Sequence, residues 1–235
     1  MPGTENFSII AWFYVRQNTY YVMRIRLMTT KTTISVDIFS DVICPWCMIG
    51  KKRLEDAVEL HGGISLRINW RAFLLNPNMP SEGMDRQTYI QKKFGNAGQS
   101  FYARIAATGK EVGIDFDFDA IRRTPDSRPA ISLVLAADKS SSDVKQDIFN
   151  AYFQQGIDIS NDAFLADLAG KYQIPHPSSE AVRRKLEKDL SEAQRLGIQG
   201  VPYFVFENQW ALSGAHPRES FLPLFDATIA QKSNS

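Results

Sequence analysis

Cysteine and histidine are scarce in this chain of 235 residues, which has two of the first and three of the second. Structural zinc is held by four Cys or His ligands, so two cysteines and widely scattered histidines argue against such a site. Neither sign of charge dominates. Lys and Arg number 27, Asp and Glu 26, for a formal net charge of +1, which gives no reason to expect a nucleic-acid partner. No apolar run approaches the length needed to cross a membrane, so no membrane partner is expected. Internal repeats and low-complexity runs are also missing. The N-terminal stretch lacks the marks of a signal peptide. Phe7 to Val15 is nearly all apolar, but Glu5 precedes it in place of Lys or Arg, and Arg16-Gln17-Asn18 follows without a small-residue cleavage site. A cytoplasmic protein is expected. Its length suffices to bury one domain plus an insertion.

Both cysteines fall in one stretch, Ile34-Ser35-Val36-Asp37-Ile38-Phe39-Ser40-Asp41-Val42-Ile43-Cys44-Pro45-Trp46-Cys47. A β-branched, strand-like run precedes them. A helical pattern follows, with Met48, Ile49, Leu54, Ala57, Val58 and Leu60 apolar. Cys44 falls at the N-cap side and Pro45 at the first helical position, where a fixed φ and a missing N–H cost least. Cys47 lies one turn on, on the same face, so the two sulfurs can meet at disulfide distance. The Cys44 sulfur is expected to face the unsatisfied N–H groups and positive dipole end of that helix. A thiol of pKa about 8.5 is only ~3% thiolate at pH 7, and one of pKa ~6 roughly 90%; the thiolate is the attacking form. Cys44 therefore reads as nucleophile and Cys47 as resolving thiol. Trp46 either packs on an incoming substrate or shields Cys47. Asp41 reads as a turn residue rather than a proton carrier.

In chain order, Lys31–Phe39 is a strand, Pro45–Leu60 a helix ended by His61-Gly62-Gly63, and Ile64–Phe73 a second strand of period two. One crossover helix between them implies a right-handed βαβ unit with a parallel pair. Asn76-Pro77-Asn78-Met79-Pro80 breaks the pattern. Residues 81 to about 190 read as mostly helical: Asp85–Phe94, a stripe of Phe101, Ile105, Ala106 and Val112, then Arg128–Lys139, Asp143–Gln155, a helix capped by Ser160 or Asn161, and one opened by Ser178 or Ser179. Ile114–Asp119 alternates and reads as extended. Gly200–Phe206 and Trp210–Ser213 form an antiparallel hairpin, and a last helix follows His216-Pro217-Arg218. His61, His176 and His216 read as helix-end, loop and helix-start residues.

Ser40–Lys51 resembles the active-site segment of DsbA-like thioredoxin-fold oxidoreductases, in particular the FrnE branch. Gly113–Pro125, Ala151-Tyr152-Phe153, Gly156–Ile159 and Leu196–Phe206 are similar to the same branch. The resemblance runs from about Ile34 to the C-terminus. It implies an α/β thioredoxin-like fold, a mixed sheet with flanking helices interrupted by an all-helical insertion. The domains would be residues 30–76 with 191–235, and the insertion 77–190, after an N-terminal extension of residues 1–29 expected to be disordered and dispensable. It also implies that Val201–Pro202 is the cis-proline of that fold, leaving the Val201 backbone free to pair with a substrate strand. Cys44 and Cys47 would be catalytic, and Pro45, Trp46, Val201 and Pro202 substrate-binding. One departure stands out: Pro125-Asp126-Ser127-Arg128-Pro129-Ala130-Ile131 carries Ile131 where the branch has a His.

The implied function is thiol–disulfide exchange with a disulfide-containing client or thiol reductant, with no bound cofactor and with glutathione as an exchange partner. A cytosolic glutathione pool at roughly −220 to −320 mV would keep such a pair reduced, favouring a reductase or isomerase. Two readings compete. A kappa-class glutathione transferase or 2-hydroxychromene-2-carboxylate isomerase shares the split architecture but typically has Ser in place of the attacking Cys. A chaperone-like binder would keep the cysteines as a redox switch. Monomer and homodimer are both compatible with the sequence.

Overall fold

Strand β1 (Thr32–Ser40) buries Ile34, Val36 and Ile38 by its period-two alternation and occupies the centre of the sheet. The structure, a computed structural model, describes residues 31–233, so the expectations for residues 1–29 lie outside the described residues. After β1 the chain turns into helix α1 (Pro45–His61), which ends at Gly62 in the left-handed region, φ 72°, its N–H bonded to the Val58 carbonyl at 3.0 Å. Strand β2 (Ile64–Ala72) runs parallel to β1, Thr32 opposite Ile64 and Ser40 opposite Ala72.

The helical segment follows. A two-residue strand β3 (Met84–Asp85) leads into α2 (Arg86–Phe94), capped by the Asp85 carboxylate on Thr88 N–H. Helix α3 (Gly98–Glu111) comes next, and β4 (Arg123–Thr124) pairs antiparallel with β3. No alternation can show in strands of two residues, and the sequence reading missed them. Ile114–Asp117 has no regular secondary structure, its Asp117 N–H bonded to the Phe153 carbonyl at 2.8 Å. Helix α4 (Arg128–Ala136) stops short of Lys139, and a single tight turn (Asp138–Ser140) passes into α5 (Ser141–Gln155). Gly156 ends α5 at φ 66°; a Cβ there would lie 2.4 Å from the Ala120 carbonyl oxygen. Helices α6 (Asp162–Lys171) and α7 (Glu180–Arg195) are capped by Asn161 and Ser179.

The chain then returns to the sheet. Strand β5 (Tyr203–Phe206) pairs antiparallel with β1, and β6 (Trp210–Ser213) with β5, giving the order β2-β1-β5-β6. Helix α8 (Leu222–Ser233) closes the described chain. Sheet and helical segment share one hydrophobic core, and α4, α5 and α7 pack on β2. Two polar ties reinforce that seam. Trp70 Nε1 donates to Ser142 Oγ at 3.0 Å. Arg71 on β2 binds Asp189 and Glu192 on α7 and Asp37 on β1. Burial opposes the charge on Arg71, but Glu192, Asp189 and Asp37 hold it firmly ionised.

Candidate active site

The site begins where β1 hands over to α1. Cys44 is the N-cap, with extended φ −97° and ψ 109°, and Pro45 takes the first helical position. The intervening turn is fixed by Asp41. Its carbonyl accepts from Cys44 N at 3.2 Å. Its carboxylate accepts from Ile43 N at 3.2 Å and from Leu75 N, just past β2, at 2.8 Å. Asp41 thus closes the turn, as its position in the sequence implies, and also ties two loops together. It has no exposed surface, and burial raises its pKa against those hydrogen bonds and the influence of Ser127 and Lys145.

Cys44 and Cys47 are both free thiols, 3% and 1% exposed. Here the structure departs from the expectation of a low-pKa Cys44. The helix N-terminus is present, but the sulfur is sealed from water, and burial pushes the Cys44 thiol well above its ordinary range, with Cys47 adding to the rise. Burial also works against a charge on Cys47. Hydrogen bonding from Cys44 and Ser40 and the charge of Lys145 outweigh it, and the Cys47 pKa is lowered. The Ser40 hydroxyl is buried and has no hydrogen-bond partner of ordinary geometry. The two shifts run in opposite directions, so Cys47 gives up its proton more readily than Cys44.

Lys145 is the residue that sequence reasoning missed. It lies on α5, 2% exposed, its ammonium 4.7 Å from the Trp70 ring centroid and 5.3 Å from that of Phe149. Burial pulls its pKa down to about 8, against the charges of Cys47, Asp41 and Cys44, which favour the cation. The only signal in the sequence was a lysine between Val144 and Ile148 on the apolar stripe of a helix.

The other wall comes from the far end of the sequence. Cys44 Sγ donates to the Val201 carbonyl at 3.4 Å, and the Val201–Pro202 peptide is cis. Close packing at Gly50 permits this approach: a Cβ there would sit 2.7 Å from Pro202 Cγ and 3.3 Å from the Phe204 ring. Pro45 is buried within the first turn of α1, and Trp46 is half-buried beside it. Of the histidines, His61 meets Asp226 at 3.3 Å, His216 bonds the Ser213 carbonyl at 2.9 Å, and His176 is exposed at φ 49°. Ile131 is buried in α4, whereas Ser127 of the same segment reaches Asp41.

A mixed sheet around a central βαβ unit, a helical insertion, and a Cys-Pro-Trp-Cys turn against a Val-Pro loop define a thioredoxin-like fold of the DsbA kind. The profile of the DSBA-like thioredoxin domain family matches residues 35–225, and the chain belongs to that family. The Bacillus subtilis protein YwbO, uncharacterised, is 22% identical over 198 residues, covering 80% of this chain and 94% of its own. A probable DsbA oxidoreductase from Streptomyces coelicolor shares the fold with a TM-score of 0.72 at 23% identity, over 84% of this chain and 90% of its own. The cytosolic disulfide reductase DsbM from Pseudomonas aeruginosa, solved with GSH, gives 0.53 at 19% identity, over 85% and 98%. Among the described residues no helix is long and apolar enough to cross a membrane.

Proposed function

We propose that this protein is a thiol–disulfide oxidoreductase of the FrnE branch, working in the cytoplasm as a reductase or isomerase through Cys44 and Cys47. The observation that carries the reading is the contact of Cys44 Sγ with the Val201 carbonyl. It sets one sulfur of the pair beside backbone that a substrate strand would pair with. Cys44 passes its proton to Cys47 and attacks a client disulfide. A Cys44–client disulfide forms, and the client's other sulfur leaves as a thiolate. Cys47, losing its proton, then attacks Cys44. The client departs with both sulfurs reduced, and the two electrons it gained leave a Cys44–Cys47 disulfide. Two equivalents of a thiol such as glutathione restore the dithiol; the glutathione in the DsbM structure supports that choice. Pro45, Trp46 and Pro202 shape the entry to Cys44. The transferase or isomerase reading is disfavoured by the pair itself, since two adjacent thiols serve no step of either reaction.

The test is reduction of an insulin-type disulfide substrate. Cys44→Ser is expected to abolish it. Cys47→Ser is expected to accumulate mixed disulfides at Cys44, because no internal thiol releases the client. It also removes the neighbour that raises the Cys44 pKa, so alkylation of Cys44 by iodoacetamide is expected to begin at lower pH than in the parent. Equal trapping by both variants would overturn the assignment of roles.

A further inference from the structure

Helix α1 holds the Val201–Pro202 loop through the Cys44 sulfur and again through Arg53. The first tie is the bond from Cys44 Sγ to the Val201 carbonyl at 3.4 Å. The second lies further along α1, where Arg53 follows Gly50 by one turn on the same face. The Arg53 side chain is 14% exposed, and its Nη1 donates to the Ala215 carbonyl at 2.6 Å. Ala215 lies just past β6, and its neighbour Gly214 donates its N–H to the Pro202 carbonyl at 2.8 Å. Gly50 lies under both segments: a Cβ there would stand 3.5 Å from Ala215 Cβ as well as 2.7 Å from Pro202 Cγ. Every link from Arg53 back to the Val201 carbonyl is thus a hydrogen bond or a peptide bond. The other arm of the guanidinium meets Glu111 on α3 at 3.7 Å, but that carboxylate is 68% exposed, and such a pair contributes little.

The two ties respond differently to thiol chemistry. The Cys44 contact needs the S–H hydrogen. Cys44 gives that proton up when its sulfur bonds a client sulfur or Cys47, and a disulfide sulfur has no hydrogen to donate. The Val201 carbonyl therefore loses its donor during the steps in which a client strand lies on the loop. The Arg53 bond contains no sulfur, and its donor is charged, which makes it the stronger of the two. We propose that Arg53 is a positioning residue, holding the Val201–Pro202 loop through Ala215 and Gly214 while Cys44 is part of a disulfide. This rests on the dithiol reading and adds the side chain that keeps the client-facing backbone in place through the cycle. An arginine that merely satisfied the Ala215 carbonyl would matter equally in both redox forms.

Hydrogen exchange of the Gly214 amide in the full-length protein reads this tie, since that N–H bonds Pro202. The parent is expected to protect it equally when reduced and oxidised. Arg53→Met keeps the apolar stem and removes the donor. Its Gly214 protection is expected to hold in the reduced form and fall about tenfold on oxidation, the loss of one charge-assisted hydrogen bond. Arg53→Lys, which still donates, is expected to show a smaller fall, and it carries the comparison if Arg53→Met does not fold. Arg53→Met is also expected to raise KM for the insulin-type substrate more than it lowers kcat. Cys44→Ala removes the sulfur donor without any redox step, so the fall should appear in Cys44→Ala/Arg53→Met and in neither single reduced variant. That fall in a protein that reduces no disulfide would uphold the Arg53 tie and defeat the dithiol reading. Disulfide reduction by a protein whose Arg53 variants protect Gly214 alike in both redox forms would defeat the proposal and leave the dithiol reading standing.

Discussion

At Lys145 the cost of a buried charge and its use meet in one side chain. A buried ammonium is unfavourable by itself, yet after hydrogen bonding from Cys44 and Ser40 its charge also favours the Cys47 thiolate. Folding lowers its pKa from 10.5 to about 8. Between those values the unfolded chain binds more protons than the folded one. The contribution of Lys145 to stability therefore rises as pH climbs through that window, and its cost is full below it. Lys145→Met should be more stable than the parent at pH 7 and lose that advantage by about pH 10.5. Urea midpoints of the reduced parent and variant, compared across that pH range, measure this. The same variant should shift alkylation of the reduced pair to higher pH, since Cys47 loses its cation. An unchanged alkylation profile would show that Lys145 serves packing alone.

Between elements, α1 and the Val201–Pro202 loop touch at Gly50, and nothing larger fits. Gly50→Ala should cost about 1–3 kcal/mol, the usual penalty of overpacking, and should loosen the Cys44–Val201 contact. Urea denaturation and thiol accessibility check the two effects; a stable variant with thiols as buried as before would show that the loop gives way elsewhere. How much of this was legible in the sequence depends on the range of the interaction. The strands β1 and β2 and the stops at Gly62 and Gly156 follow from local rules and were readable, and each of the caps Asn161 and Ser179 was narrowed to two neighbouring residues. The two-residue strands carry no period and were not. Lys145 was invisible because its burial depends on Trp70, distant in sequence, and a lysine on a helix usually faces water. Cys44 misled for the same reason: its place at a helix start was legible, but the cover that strips it of water was not.

At the scale of the whole fold, sheet and helical segment share one hydrophobic core across their seam among the described residues. Trp70, Arg71 and their partners on α5 and α7 cross it. Thermal unfolding should then show a single transition, with Trp fluorescence and far-UV circular dichroism giving coincident midpoints. Two separate midpoints would mean that the helical segment melts by itself. The Cys44–Val201 contact spans 157 positions of the chain. A ribosome adding 5–20 residues per second needs roughly 8–30 s to make that stretch. For that interval Cys44 has been made and the Val201 carbonyl that it faces in the folded chain has not. The site is therefore assembled only when the far end of the chain arrives, and the first half of the sequence cannot form it alone.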